Sequence, residues 1–128
     1  MDAYAHYRTQ AATTASPAQL VLMLYDGALA HLSRAEEALA GTPATEPAHE
    51  ALTKAQAIVN HLAVTLDHER GGEIAANLAD LYGFCSEQLL RANLEKSPEG
   101  LDDVASVLRG LRDAWEEACL GVPAAVAG

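Results

Sequence analysis

At 128 residues, half of them hydrophobic and only 5% aromatic, the chain is long enough for one domain with a real core, and Ala and Leu supply most of it, which favours helix. Eight Lys and Arg against 18 Asp and Glu leave a formal charge of −10, a balance that repels phosphate backbones and anionic lipid and argues against nucleic acid as a partner. The longest apolar run, Leu20 to Leu24, is far short of the roughly 20 residues a bilayer span needs. Residues 1–10 show no basic stretch followed by an apolar one, so the expectation is a soluble, cytoplasmic chain with no membrane insertion.

Residues 1–15 hold Tyr4 and Tyr7 but no sustained apolar period, and read as an arm with at most a turn of helix. The first helix opens on a capping box: Ser16 as N-cap, Pro17 at the first helical position and Gln19 at the third, each end of the box satisfying an orphan N–H. It runs to about Ala40, before Gly41. At about 100° per residue its apolar side chains cover more than half the circumference, from Leu20 through Leu24, Val21 and Tyr25 to Leu29 and Leu22. One core needs less than that, so Leu22, Tyr25 and Leu29 are expected at the flank of a groove.

The stretch GTPATEP, residues 41–47, makes a loop. A second helix is expected from about Pro47 to Glu69, with Ala48, Leu52, Ala55, Val59, Leu62 and Leu66 turned inward and Gly71 and Gly72 stopping it. The third, from about Glu73 to Glu95, turns Ile74, Leu78, Leu81, Tyr82, Cys85 and Leu89 to one side. Ser97 and Pro98 repeat the Ser-Pro cap ahead of a fourth helix, whose stripe is Leu101, Val104, Leu108, Leu111, Trp115 and Ala118, with Gly121 and Pro123 ending it. Trp115 is expected to be buried. Four amphipathic helices joined by short loops predict an all-α fold, an antiparallel four-helix bundle over residues 16–121, with residues 122–128 as a flexible tail.

No catalytic set or metal ligand set emerges. A di-iron bundle needs an inward Glu-x-x-His on two helices and a further Glu on the others, whereas only Glu46 and His49 have that spacing, at a helix start. His61 and His68 are seven apart and on one face of the expected second helix, with no third ligand near them by spacing. Glu36 with Glu37, and Glu116 with Glu117, are neighbours that diverge on a helix. Cys85 and Cys119 sit in apolar helical patterns and read as packed thiols. The expectation is no enzyme, no metal and no cofactor.

Apolar residues in the wrong places remain. Val64 points away from the stripe of the second helix, and Phe84, Leu90 and Leu94 lie off that of the third. A small acidic bundle with spare apolar surface is suited to receiving amphipathic helices from a partner.

Tyr4 and Tyr7, TASPAQLVLMLYDGAL (14–29), KAQAIVNHL (54–62), GGEIAANLADLY (71–82), LLRAN (89–93) and LRDAWEEA (111–118) together resemble the FliS family of flagellar secretion chaperones, over nearly the whole chain. The resemblance implies a cytoplasmic antiparallel bundle that binds the disordered C-terminal segment of flagellin, prevents premature polymerisation and hands the client to an export gate component of the flagellar type III apparatus. It also implies that Tyr4 and Tyr7 form a lid over the client site. The partner-binding set is then Tyr4, Tyr7, Leu22, Tyr25, Leu29, Gln56, Val64, Phe84, Leu90 and Leu94. Two alternatives stay open: a metal-binding or enzymatic bundle built on His61 and His68, and a structural bundle that self-associates, with a homodimer of the free protein covering the spare surface.

Overall fold

A computed structural model describes residues 16–121, the side chain of Leu120 excepted; the arm at 1–15 and the tail at 122–128 lie outside the described residues. Four helices follow one another: α1 (Pro17–Leu39), α2 (Thr45–Val64), α3 (His68–Glu95) and α4 (Leu101–Leu120). They pack α1 on α2, α2 on α3, α3 on α4 and α4 on α1. Chain order is thus ring order, the outcome of short loops joining antiparallel neighbours.

The capping box at the head of α1 is present. Ser16 Oγ accepts from the Gln19 amide at 3.2 Å and Gln19 Oε1 accepts from the Ser16 amide at 2.8 Å. The other helix boundaries depart from the sequence expectation. Helix α2 ends at Val64 rather than near Glu69, because Thr65 Oγ1 turns back to donate to the Leu62 carbonyl and Asp67 accepts from the Arg70 amide, capping α3 instead. Gly71 and Gly72 therefore do not stop α2; they lie inside α3. Gly72 has φ 50° and ψ −121°, a conformation open to glycine and strained for other residues. It kinks α3 between one short turn, His68–Gly71, and the main helix.

At the other end of α3, Lys96 takes the left-handed conformation with φ 50°, and its Nζ reaches back to the Asn93 carbonyl and Oδ1. Ser97 and Pro98 do not cap α4. The Ser97 hydroxyl accepts from the Glu99 amide two residues on, making a turn, and Gly100 at φ 88° is the N-cap.

The core is built from alanines and leucines, as the composition implies. Ala28, Ala48, Ala55, Val59, Leu89, Leu101, Val104 and Leu108 are wholly inaccessible. Alanine at the seams lets helix axes approach, and each fully buried leucine contributes roughly 1.5–3 kcal/mol through the area it removes from water. Along α3 the buried stripe is Ala75, Tyr82, Cys85, Leu89 and Ala92. Ile74 and Leu81, expected inside, are exposed; the buried face lies one residue further on at each turn, at Ala75 and Tyr82. Ala118 is also exposed, and Cys119 is an exposed thiol rather than a packed one. No described helix is long and apolar enough to cross a membrane.

Candidate functional site

A groove of about 440 Å³ opens where the ends of all four helices meet. Helix α1 contributes Val21 and Tyr25, α2 contributes Leu62, the kinked start of α3 brings Ile74, Leu78 and Tyr82, and α4 adds Trp115, with Leu66, Asp67 and Arg70 on the rim. The early end of α2 and the bend at Gly72 make this space. A straight continuation of α2 through Leu66 would carry its apolar stripe across the opening. Ile74, 71% exposed, stands at the lip.

The floor turns polar where Tyr25 and Tyr82, each 3% exposed, meet hydroxyl to hydroxyl at 2.5 Å. They belong to α1 and α3, which face each other across the diagonal of the ring, so this bond spans the bundle's interior. Burial pushes the Tyr25 phenol well above its ordinary range, and its hydrogen bond with Tyr82 adds to the rise. Burial raises Tyr82 too, against a lowering from the bond to Tyr25. Cys85 lies beneath them, its thiol pushed up to about 11 by burial.

Trp115 forms one wall. Its Nε1 donates to the Ala18 carbonyl at 2.8 Å. The ring is half-buried rather than a full core residue, because the outer edge of the indole is groove surface. Arg112, one turn earlier, fixes α4 on α1: its Nε donates to Asp26 Oδ1 at 2.7 Å, while its two Nη atoms reach Asp113 and Glu116 on its own helix.

A second hollow, about 430 Å³, follows the seam between α2 and α3. Gln56 donates to the carbonyl and hydroxyl of Ser86, and Ser86 Oγ donates to Asn60 Oδ1 at 3.2 Å. Leu90 and Ala63 supply apolar wall. Val64 and Leu94, 79% and 77% exposed, are the most open large apolar side chains described, and Phe84 is more than a third exposed.

The candidate residues therefore divide. Tyr25 is in the main groove, as its floor rather than its flank, and Gln56 and Leu90 line the α2–α3 hollow. Val64, Phe84 and Leu94 are surface on α2 and α3. Leu22 and Leu29 are half-buried, Leu29 against the core, so the wide apolar arc of α1 is spent largely inside the bundle, between α2 on one side and α4 on the other. Tyr4 and Tyr7 lie outside the described residues. Trp115, Tyr82, Leu62 and Leu78 form the groove, although their periodicity alone assigns them to the core; helical spacing marks a buried face without showing where that face is left uncovered.

His61 and His68 sit on different helices and share no face, because α2 ends between them. Glu46 and His49 line a shallow hollow at the start of α2, and among the described residues no three His, Cys, Asp or Glu side chains converge as metal ligands would.

A four-helix ring with open apolar grooves has the form shared by helix-in-groove binding modules. The chain belongs to the FliS family, whose model, described as flagellar protein FliS, matches residues 1–121. Flagellar secretion chaperone FliS of Salmonella typhimurium is 40% identical over 119 residues, covering 91% of this chain and 87% of that protein. The proteins of the same name from Escherichia coli and Bacillus subtilis are 37% and 33% identical, over 93% and 90% of this chain and 88% and 84% of theirs.

Proposed function

We propose that this chain is a cytoplasmic, non-catalytic export chaperone that binds the C-terminal segment of flagellin, holds it back from early polymerisation and delivers it to an export gate component of the flagellar type III apparatus. The groove lined by Val21, Leu62, Leu78 and Trp115 is the observation that carries this reading; membership of a family whose relatives are named flagellar secretion chaperones agrees with it.

Segments destined for a helical filament core expose apolar faces when monomeric, and those faces associate unless covered. Two separate hollows on one small bundle suit a client that wraps around it and folds short helices as it binds. Ordering the client offsets part of the contact energy, which keeps the complex releasable. The charge of −10 adds long-range attraction to basic partners and keeps the free chaperone soluble.

Titration of a synthetic flagellin C-terminal peptide into the full chain, followed by circular dichroism and calorimetry, tests this directly. Saturable binding with a gain of helix beyond the sum of the separate spectra is the expected result. Absence of binding, or binding by a peptide that stays disordered, defeats the groove reading.

A further inference from the structure

A phenol has one proton to donate, and two phenols bonded only to each other use one of their two protons. Tyr25 and Tyr82 are such a pair. Neither hydroxyl has a second partner among the described residues. Both rings line the main groove although each is only 3% exposed. One O–H donor is therefore left over at the floor of a groove whose walls are apolar.

In an open groove solvent serves such a proton. An occupant that displaces the solvent must bring an acceptor of its own, or leave a donor buried and unpaired, which is costly in a low-dielectric site. We propose that the Tyr25–Tyr82 pair is the selective point of the groove: it favours an amphipathic helix that places one neutral hydrogen-bond acceptor, a side-chain amide or hydroxyl oxygen, over the pair. This rests on the client-binding reading above and specifies the chemistry of what binds.

Other side chains at that position fit worse. Lysine and arginine offer donors only, so they would set donor against donor. A carboxylate accepts, but it must be stripped of water beside apolar Leu62, Leu78 and Trp115, and the cation on the rim, Arg70, already faces Asp67 at 3.8 Å. A wholly apolar side chain gains contact area and strands the phenolic proton. An asparagine, glutamine, serine or threonine accepts the proton while its neighbours on the same helix face fill the apolar walls. Burial holds the Tyr25 phenol protonated far above neutral pH, so the donor persists under all physiological conditions.

The pairing makes the test discriminating. In Tyr25→Phe or Tyr82→Phe the surviving hydroxyl keeps its proton and can give it to the occupant, so affinity for the flagellin peptide should fall by only about threefold, the loss from a reshaped floor. In Tyr25→Phe/Tyr82→Phe no donor remains, and affinity should fall about tenfold, the scale of one buried hydrogen bond. Stability should follow the opposite pattern. Each single variant costs the surviving, 3% exposed ring its protein hydrogen-bond partner and is destabilised, whereas the double variant replaces both partners by apolar rings of the same shape and recovers most of the loss.

Calorimetric titration of the four proteins, with urea denaturation as the control for folding, reads both. Double-variant affinity equal to wild type overturns the proposal while leaving client binding intact. Single variants as weak as the double also overturn it, since they would make the pair a structural brace. No binding by the wild type removes both this inference and the function it rests on.

Discussion

Trp115 and Ala18 are 97 residues apart in the chain and joined by one hydrogen bond, indole Nε1 to carbonyl oxygen at 2.8 Å. That bond fastens the last helix to the first turn of the first. Trp115→Phe keeps most of the ring's packing and loses the bond, at a cost of about 1 kcal/mol. Trp115→Ala should cost about 2 kcal/mol, below the roughly 3–5 kcal/mol typical of fully buried tryptophan, because the indole is only half-buried. Urea denaturation of the two variants separates the bond from the packing; equal losses would mean that the bond dominates.

Trp115 is the sole tryptophan, which makes its fluorescence a report on the main groove. Peptide binding there should move the emission to shorter wavelength as the exposed edge of the ring is covered. Saturable binding with an unchanged spectrum would place the client elsewhere, at the α2–α3 hollow.

Residues 1–15 carry the proposed lid. Deleting them should leave the bundle folded and raise the binding of an apolar-surface dye, with a change in client affinity that calorimetry measures against the Tyr4→Ala/Tyr7→Ala variant. Affinity rises if the arm only blocks the groove and falls if either tyrosine also touches the client. Dye binding and affinity unchanged in both proteins would show that the arm covers nothing.

Gly72→Ala should destabilise by about 1–3 kcal/mol, since a Cβ is strained at φ 50° and ψ −121°, and should weaken peptide binding by moving Ile74 and Leu78. Gly83→Ala is the internal comparison: that glycine is exposed in the main part of α3 with nothing within 4 Å of an added Cβ, so alanine should be neutral or stabilising there. Thermal melts that rank the two variants equally would remove the kink from the account.

Alkali should unfold the protein from within. The folded Cys85 thiol titrates at about 11 against an ordinary value of 9.0, and the Tyr25 and Tyr82 phenols are raised as well. A raised pKa in these groups means that the folded state holds the proton more tightly, so the stability that Cys85 contributes is complete below about pH 9 and is lost as pH rises through about 11. For Cys85 alone the linkage amounts to about 2–3 kcal/mol. Urea midpoints should hold level from about pH 7 to 9 and then fall, and Cys85→Ala should shrink that fall. Below about pH 9 an alkylating reagent should modify exposed Cys119 and spare Cys85.

Local signals are legible in the residues and long-range ones are not. The Ser16–Gln19 capping box and the buried stripes of α2, from Ala48 to Leu62, and of the first half of α4 follow from spacing within one helix, and the structure has them. The end of α2 does not follow, because Leu66 continues the apolar stripe of Val59 and Leu62, while the competing local bonds of Thr65 and Asp67 are weak in pattern and decisive in geometry. A Gly-Gly pair reads as a stop; at Gly72 it is a bend inside a helix. The Tyr25–Tyr82 bond joins residues 57 apart on helices that are diagonal in the ring, and no single-helix period encodes a partner on another helix. Val64, Phe84, Leu90 and Leu94 stand out in the sequence by being off-stripe, and they are exposed. Trp115 departs from its expected burial because an on-stripe position near a helix end can look out into a groove.

The walls of the main groove come from α1, α2, α3 and α4 alike. An α1–α2 hairpin can pair without the rest of the bundle, yet the main groove lacks a wall until Trp115 of α4 docks on Ala18. A chain cut before α4 therefore keeps the α2–α3 hollow, whose lining comes from those two helices alone, and lacks the main groove.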